Sequence, residues 1–593
     1  MCGITGYCGK KLAGPVVFEA LKNLEYRGYD SAGVASLCDG RLLVKKDVGG
    51  IDEVNQKCHL DNMPGTIAIG HTRWATHGAV TRANSHPHSD SDGMVAVAHN
   101  GIIENYQELR QELISKGHRF SSETDTEVIP NLLAEELKNG TDTLEQAVLI
   151  VSRRLRGSYA FVALATDDPG KLVGTRRNNP LVVGFDNEGC YFCSDTLAFP
   201  EAVTGQVMLG DAEVVMLSSE GAHFFDANGD SISREPCEVN RTWAQSSGKN
   251  GYPHFMLKEI MEQPQILEFV IQQDEKKFQS IAMDILRANQ VIITACGTSR
   301  YASLVGRYLF SRVARKFADV VIASEFGYFA DSVDKSTMVI AVSQSGETAD
   351  VVEGIKVARM AGGQVLSIVN RPNSALESLS QCTISLNCGC EIGVAATKTF
   401  LSQLAAFYLV SFSMVNAFDE ACSQVGAMHD KIAEALDCNN HKIIKLAKQL
   451  KNKDDFYYLA RGINFAVASE GALKLKEIAY VHAEGMPAGE LKHGTMALIE
   501  EGTPVLGICP DDHTYDETMN NLMEVKARGA YIIGVSDRES DIYDFHIKIP
   551  RVDELLYPMV TVIPLQLLAY HMAVARGCDP DKPRNLAKSV TVK

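Results

Sequence analysis

The chain has 593 residues, 45% of them hydrophobic and 22% charged, with a formal net charge of −17. That is the composition of a soluble globular protein of roughly three or four domains, too long for one core. The acidic excess excludes a phosphate-tracking nucleic-acid surface and an anionic membrane partner, although a local pocket can still be positive and hold a small anionic substrate.

The chain opens Met1-Cys2-Gly3-Ile4. Initiator Met is readily trimmed before a small residue, which leaves Cys2 with a thiol and a free α-amine. Such an amine titrates at roughly 7.7 to 8.0, so thiol and base share one residue, the N-terminal-nucleophile arrangement. With Met1 attached the nitrogen is an amide and the site is expected to be silent. A cysteine near a terminus is as readily a buried thiol, so the rest of the chain decides. No signal peptide is visible, and the fifteen cysteines show no repeated spacing, which reads as reduced thiols in a cytoplasmic protein. Cys190/Cys193 and Cys388/Cys390 lack a second pair at ligand spacing and read as buried thiols; no metal and no cofactor is expected.

In the first third, Gly65–Gly70, Met94–Ala98, Ser158–Ala165, Val207–Leu217 and Gly221–Phe225 have strand character, and Gly14–Tyr26, Asn105–Lys116 and Glu127–Lys138 have helical periodicity. Strands interspersed with helices predict a layered α/β domain. Four polar stretches, Tyr26–Gly33, His71–His77, His99–Asn105 and Ser122–Glu127, fall between these signals, where loops carry chemistry. Their side chains suit amide hydrolysis. Asn100 and the Gly101 amide can form an oxyanion hole, Arg73 can take a substrate carboxylate and Asp125 an α-ammonium. Over residues 2–220 the Cys2-Gly-Ile start, the Arg27–Gly33 and His71–Gly78 runs and His99-Asn-Gly101 resemble class II glutamine amidotransferase domains. That resemblance implies a four-layer αββα N-terminal-nucleophile hydrolase domain over 2–240. It makes Cys2 the nucleophile, with Arg73, Thr76, Asn100, Gly101 and Asp125 holding glutamine and its oxyanion.

Residues 241–255, rich in Ser, Gly and Asn at their start, read as a linker. Beyond it, helices alternate with short apolar strands, which predicts doubly wound parallel sheets, one over 256–430 and one over 431–593. The apolar stretches Ala405–Phe418 and Leu555–Ala575 are too short or too interrupted for membrane spans and are expected to be buried strand and helix.

One unit occurs twice. Gln290–Ala295 runs into Cys296-Gly-Thr-Ser299, as Asp455–Ala460 runs into Arg461-Gly-Ile-Asn464; Met338–Val342 leads into Ser343-Gln-Ser-Gly-Glu-Thr348, as Thr503–Ile508 leads into Cys509-Pro-Asp-Asp-His513. The first copy suits a phosphate, because the hydroxyls of Thr298, Ser343, Ser345 and Thr348 sit where strands end and helices begin. In the second, Asp511 and Asp512 would repel one. One phosphate site per chain is expected.

These lobes resemble sugar-isomerase (SIS) domains. Two of them behind a class II glutaminase, with Lys258–Pro264, Glu391–Ala395, Glu470–Glu477 and Pro583–Val592, resemble the isomerising glutamine–fructose-6-phosphate aminotransferase family nearly end to end. The resemblance implies L-glutamine and fructose 6-phosphate as substrates and glucosamine 6-phosphate as product, the first step of the hexosamine (UDP-N-acetylglucosamine) pathway. It places Thr298, Ser299, Ser343, Gln344, Ser345, Thr348, Val394, Lys474 and Ala587 around the sugar phosphate. By the same resemblance Lys588 matches the Schiff-base lysine, Glu477 the base that moves a proton from C1 to C2, and His493 the group that opens the ring from a neighbouring subunit, which implies a homodimer. Ammonia needs a closed route from Cys2 to the sugar, and Trp74 matches the family's gate. Two positions depart from the pattern: Arg300 stands where Tyr is usual, and Thr495 where Pro is usual.

By themselves, a Glu-x-x-x-Lys-x-x-Glu helix reads as a solvated salt-bridged face, Lys588 as a solubilising charge and His493 as a turn residue. Two alternatives keep the fold, namely amination or deglycation of another phosphorylated sugar and a silent sugar-phosphate sensor. An intact glutaminase half with Glu477 and Lys588 argues against deglycation, and the presence of Cys2 and Lys588 argues against a sensor; another phosphorylated sugar as acceptor stays open.

Overall fold

The strand Gly3–Gly9, which leads away from Cys2, is buried along its whole length. An antiparallel strand is buried on both faces only when something covers each side, and alternation shows what does. Ile4 and Cys8 enter an apolar layer between two sheets, while Tyr7 points into a layer shared with helices. The strand Val95–Ile103 behaves likewise, with Ala96 and Ala98 between the sheets and Val95 and Val97 against helices.

The computed structural model describes residues 2–239 and 248–591. The chain divides into two compact units, Met1–Ala244 with Ala587–Lys593, and Gln245–Leu586. The sequence-predicted linker therefore lies outside the described residues over 241–247, and its remainder precedes the helix Phe255–Met261.

The first unit contains an eight-stranded and a seven-stranded sheet, both antiparallel. The helices Ala13–Leu24 and Ile51–Cys58 cover the outer face of the first sheet through Val17, Leu21 and Val54. Tyr106–Ser115, Val128–Lys138 and Leu144–Arg154 cover the second through Leu109, Leu132 and Val148. This is the expected αββα order. Two local expectations fail. The run Val207–Leu217 breaks into Gly205–Met208 in one sheet and Val214–Ser218 in the other. The polar stretches His71–His77 and His99–Asn105 are not simply loops, because His71, Thr72 and Arg73 end the strand Ile67–Arg73, and Asn100 and Gly101 lie within Val95–Ile103.

The second unit carries two five-stranded sheets in which all neighbours are parallel. One runs Asp319–Ile322, Gln290–Ala295, Thr337–Ser343, Gln364–Val369, Cys382–Ser385, and the other His482–Pro487, Asp455–Ala460, Pro504–Ile508, Tyr531–Ser536, Phe545–Lys548. Both have the order 2-1-3-4-5, so the duplication seen in sequence is a duplication of topology, with a switch point between the first and third strands of each lobe. The two apolar stretches are buried helices, Lys398–Ser413 and Tyr557–Ala575. The segment Glu554–Ala575 is long and apolar enough to cross a membrane, but 83% of its apolar window is buried inside the protein. Pro558 sits in its first turn, where no N–H bond is lost.

Candidate active site

At the N-terminus of the first unit, Cys2 is half-buried against the end of the strand Ile67–Arg73. Its Sγ accepts a hydrogen bond from Trp74 N–H (3.3 Å) and faces the Trp74 carbonyl at 3.4 Å. Its carbonyl accepts from Arg27 Nε (3.2 Å) and Asn100 Nδ2 (3.0 Å). Burial pushes the Cys2 thiol up, while the Trp74 N–H and the guanidinium groups of Arg73 and Arg27 pull the other way. Burial prevails, so a nucleophilic Cys2 needs a base.

An open cleft of about 450 Å³ lies beside this thiol. It is lined by Cys2, Arg73, Trp74, Thr76, Asn100, Gly101 and Asp125, every residue that the sequence assigned to glutamine or its gate, together with His77, His86, His99, Thr124, Thr126 and Thr591. Arg73 is 3% exposed, and its guanidinium donates to the carbonyls of His77, Gly78 and Ala79. Among the described residues no carboxylate forms an ion pair with it. Asp125 is equally buried and accepts from Ile103 N–H at 2.7 Å. One buried cation and one buried carboxylate in a single cleft match the two ends of an amino-acid zwitterion. Gly101 has φ +116°, and a Cβ there would meet the Ser158 carbonyl at 2.0 Å, so only glycine fits the bend that turns this backbone to the cleft.

Arg27, Asp195, His71 and Thr591 received no role from sequence. Arg27 is 1% exposed and pairs with Asp195 at 3.0 Å, and Tyr26 O–H donates to the same carboxylate at 2.5 Å. Its motif was visible, but its partner lies 168 positions away. Ala587, Lys588 and Thr591 belong to the tail that groups with the first unit; Lys588 is half-buried.

In the second unit, the helix Asn464–Ala479 does not present a solvated face. Glu470 and Lys474 are fully buried, and Glu477 is 22% exposed. Lys474 Nζ donates to Glu477 (2.5 Å) and to Thr298 Oγ1 (2.9 Å), and stands 3.5 Å from Glu470; Thr298 Oγ1 donates to Glu470 at 3.2 Å. Desolvation pushes the Glu470 carboxyl up to about 8. The same burial works against the Lys474 ammonium, but Glu470 and Glu477 outweigh it and raise Lys474 to about 12.

Thr298 and Ser299 open the helix Gly297–Ala314, where Ser299 Oγ accepts from Gln403 Nε2 at 2.9 Å. Ser343 ends its strand, and the loop to Thr348 folds on itself. Ser343 Oγ lies 3.0 Å from Thr348 Oγ1 and accepts from Gly346 N–H, and Ser345 Oγ accepts from Glu347 N–H. Gln344 is half-buried in the same loop. Val394 donates its N–H to the Asp581 carbonyl at 3.4 Å, in a loop whose Ile392 and Gly393 N–H groups are held by buried Glu259. Glu259 belongs to the Lys258–Pro264 motif, which thus braces a loop. Arg300 stacks on Tyr301 at 5.8 Å. His493 and Thr495 lie on adjoining 3-10 turns, with His493 exposed. No disulfide joins any of the fifteen cysteines, and Cys190, Cys193, Cys388 and Cys390 are buried. Among the described residues no cluster of His, Cys, Asp and Glu is placed to hold a metal ion.

Comparison with known proteins agrees with both halves. The glutamine amidotransferase domain family matches residues 71–201, and the SIS domain family matches 284–412 and again 449–576. Proteins named glutamine–fructose-6-phosphate aminotransferase [isomerizing] are similar over 100% of this chain and 100% of their own, with 44% identity over 599 residues in Pyrococcus horikoshii and 45% over 603 residues in Thermococcus kodakarensis. The solved C-terminal domain of glucosamine-fructose-6-phosphate aminotransferase from Francisella tularensis aligns with a TM-score of 0.53 at 34% identity, covering 57% of this chain and 100% of that one. Full-length similarity at this level, with each half matched separately, establishes that the chain belongs to the isomerising glutamine–fructose-6-phosphate aminotransferase family.

Proposed function

We propose that this protein hydrolyses glutamine at Cys2 and uses the ammonia to convert fructose 6-phosphate into glucosamine 6-phosphate, with glutamate as co-product. The observation that carries the reading is the cleft in which a thiol, a buried guanidinium, a buried carboxylate and two candidate oxyanion donors meet. With Met1 removed, the Cys2 amine takes the thiol proton as Sγ attacks the glutamine amide carbon. Asn100 Nδ2 and the Gly101 N–H receive the developing oxyanion, ammonia leaves, and water releases glutamate from the thioester. Arg73 holds the substrate carboxylate, Asp125 its ammonium, and Thr76 a further polar contact; Trp74, whose backbone brackets Sγ, gates the departure of ammonia.

On the sugar side, Ser343, Gln344, Ser345 and Thr348 cradle the phosphate at the switch point, with Thr298, Ser299, Val394, Lys474 and Ala587 about the sugar. His493 opens the ring. Lys588 condenses with the C2 carbonyl and releases water, ammonia displaces the lysine, and Glu477 carries a proton from C1 to C2. The exposure of His493 supports its service to a neighbouring subunit, hence a homodimer, and fifteen cysteines with no disulfide among them support a cytoplasmic location.

The test is an assay of the full chain with glutamine and fructose 6-phosphate, following glutamate and glucosamine 6-phosphate. Cys2→Ala is expected to abolish both products from glutamine, and Lys588→Ala to keep glutamate release while losing the aminosugar. A wild-type protein that released glutamate but formed no aminosugar from fructose 6-phosphate would have another acceptor. An active protein that retained Met1, read by mass spectrometry, would overturn the assignment of the base.

A further inference from the structure

Asn100 can act on an oxyanion only if the nitrogen end of its side-chain amide, and not the oxygen end, faces Cys2. Nothing in the asparagine itself decides this, because the two ends have nearly the same shape. The decision lies behind it. His71, on the strand Ile67–Arg73 of the first sheet, reaches across to the strand Val95–Ile103 of the second. Its Nε2 lies 2.9 Å from the His99 carbonyl and 3.1 Å from Asn100 Oδ1. A backbone carbonyl can only accept, so Nε2 carries the proton and offers it to Oδ1 as well. Asn100 Nδ2 then faces the Cys2 carbonyl at 3.0 Å, again an acceptor. Its second N–H remains for the cleft that Asn100 lines. Turning the amide over would set N–H against N–H at His71 and oxygen against oxygen at Cys2, two mismatches in one rotation.

The imidazole is itself held in the donor form at Nε2. His71 is fully buried and stacks on His86, with ring centroids 4.1 Å apart and planes 16° apart. Its Nδ1 is buried without a hydrogen-bond partner, so a proton there would be an orphaned donor. Burial also pushes the ring down to about 3, which keeps it neutral.

We propose that His71 is a positioning residue for glutamine hydrolysis, fixing the Asn100 amide with its nitrogen toward Cys2. This rests on the reading of Asn100 as an oxyanion donor, so the experiment separates the two. Glutamate release would be measured for Asn100→Ala, His71→Leu, His71→Gln, His71→Asn and the His71→Leu/Asn100→Ala pair, with melting temperatures for each. Losing an oxyanion donor costs roughly 10²–10³ in kcat, so Asn100→Ala should fall by that much; an unchanged kcat there would sink the oxyanion reading. His71→Leu is expected to lower kcat by on the order of 10²-fold with KM for glutamine nearly unchanged, and the pair to be no worse than Asn100→Ala alone. Gln can place an amide N–H near the Nε2 position and should recover most of the rate, whereas Asn stops short and should not. If His71→Leu fails to fold, the Gln and Asn variants carry the comparison. The proposal is overturned if Asn100→Ala is impaired while His71→Leu or His71→Asn keeps kcat, if the loss appears in KM instead, or if the pair loses the product of the two single effects.

Discussion

In the first parallel-sheet lobe, the strand Thr337–Ser343 ends in a loop whose hydroxyls bond one another and loop N–H groups: Ser343 Oγ with Thr348 Oγ1, and Ser345 Oγ with Glu347 N–H. In the second, the strand Pro504–Ile508 reaches the same place in the sheet order, and a carboxylate of the protein fills the role of an anion there. Asp512 accepts from Thr514 N–H (2.8 Å), Thr514 Oγ1 (2.7 Å) and Asn464 Nδ2 (2.7 Å), the last from the start of the helix after the lobe's first strand. Asp511 beside it pairs with Arg538 and Arg551. The donors that the topology gathers at a switch point thus meet a carboxylate of the protein in one lobe and short neutral hydroxyls in the other. The second lobe contributes instead through the face of Asn464–Ala479, where Lys474 meets Thr298 of the first. Duplication kept the scaffold, and under the proposed function it divided the chemistry.

Lys474→Met tests that division with the largest expected effect. Lys474 is in ion-pair contact with both Glu470 and Glu477. Removing one partner of a buried pair costs roughly 3–5 kcal/mol. A melting-temperature drop of the second unit, with loss of aminosugar formation and retention of glutamate release, is expected. A variant as stable and active as wild type would mean that this face does not join the lobes.

Next in size is a pH dependence. The folded-state value of Glu470, about 8, lies above its ordinary 4.5. Across that window the folded chain binds more protons there than the unfolded chain, so its contribution is full below the unfolded value and is lost as pH rises through the folded one, at about 1.4 kcal/mol per pH unit. Glu470→Gln should flatten that slope for the second unit. In the first unit His71 works oppositely. Burial holds it at about 3, below its ordinary 6.5, so its contribution is present above the unfolded value and is lost as pH falls toward the folded one. Calorimetry of the full chain from about pH 5 to about pH 8 reads both. Slopes of the same sign for the two units would contradict the assignment.

That Cys2, Arg73, Asn100, Gly101 and Asp125 come together in one cleft was legible because they sit in contiguous polar runs. Sequence did not show what holds them. Arg27 meets Asp195, which lies 168 positions away beside the first sheet, and His71 meets Asn100 across the two sheets, and neither pairing leaves a local periodicity. The Glu470–Glu477 helix misled in the other direction, since spacing of i, i+4, i+7 is the same whether water or another helix covers the face; only the packing of Gly297–Ala314 against it decides. Likewise Val207–Leu217 reads as one apolar run, and its division between two sheets is a property of their pairing, not of the run. The αββα and parallel-sheet classes survived these misses because they depend on element type and order.

The smallest effect distinguishes the two switch points most sharply. Thr348 stands at the N-cap of the helix Ala349–Met360, yet its side chain makes no capping bond and instead faces Ser343. A capping threonine is worth about 1 kcal/mol of stability, so Thr348→Val should cost little of that. A hydroxyl donating to a phosphate is worth roughly 1.5–3 kcal/mol, so KM for fructose 6-phosphate should rise ~10-fold or more. Asp512→Asn should do the reverse. An amide cannot accept through both ends, so Asn464 or Thr514 loses a partner and the melting temperature falls, while KM stays within ~2-fold of wild type because no substrate group is met there. If Asp512→Asn instead raised KM as far as Thr348→Val, the second switch point would be part of the sugar site, and the two lobes would share the phosphate rather than divide the work.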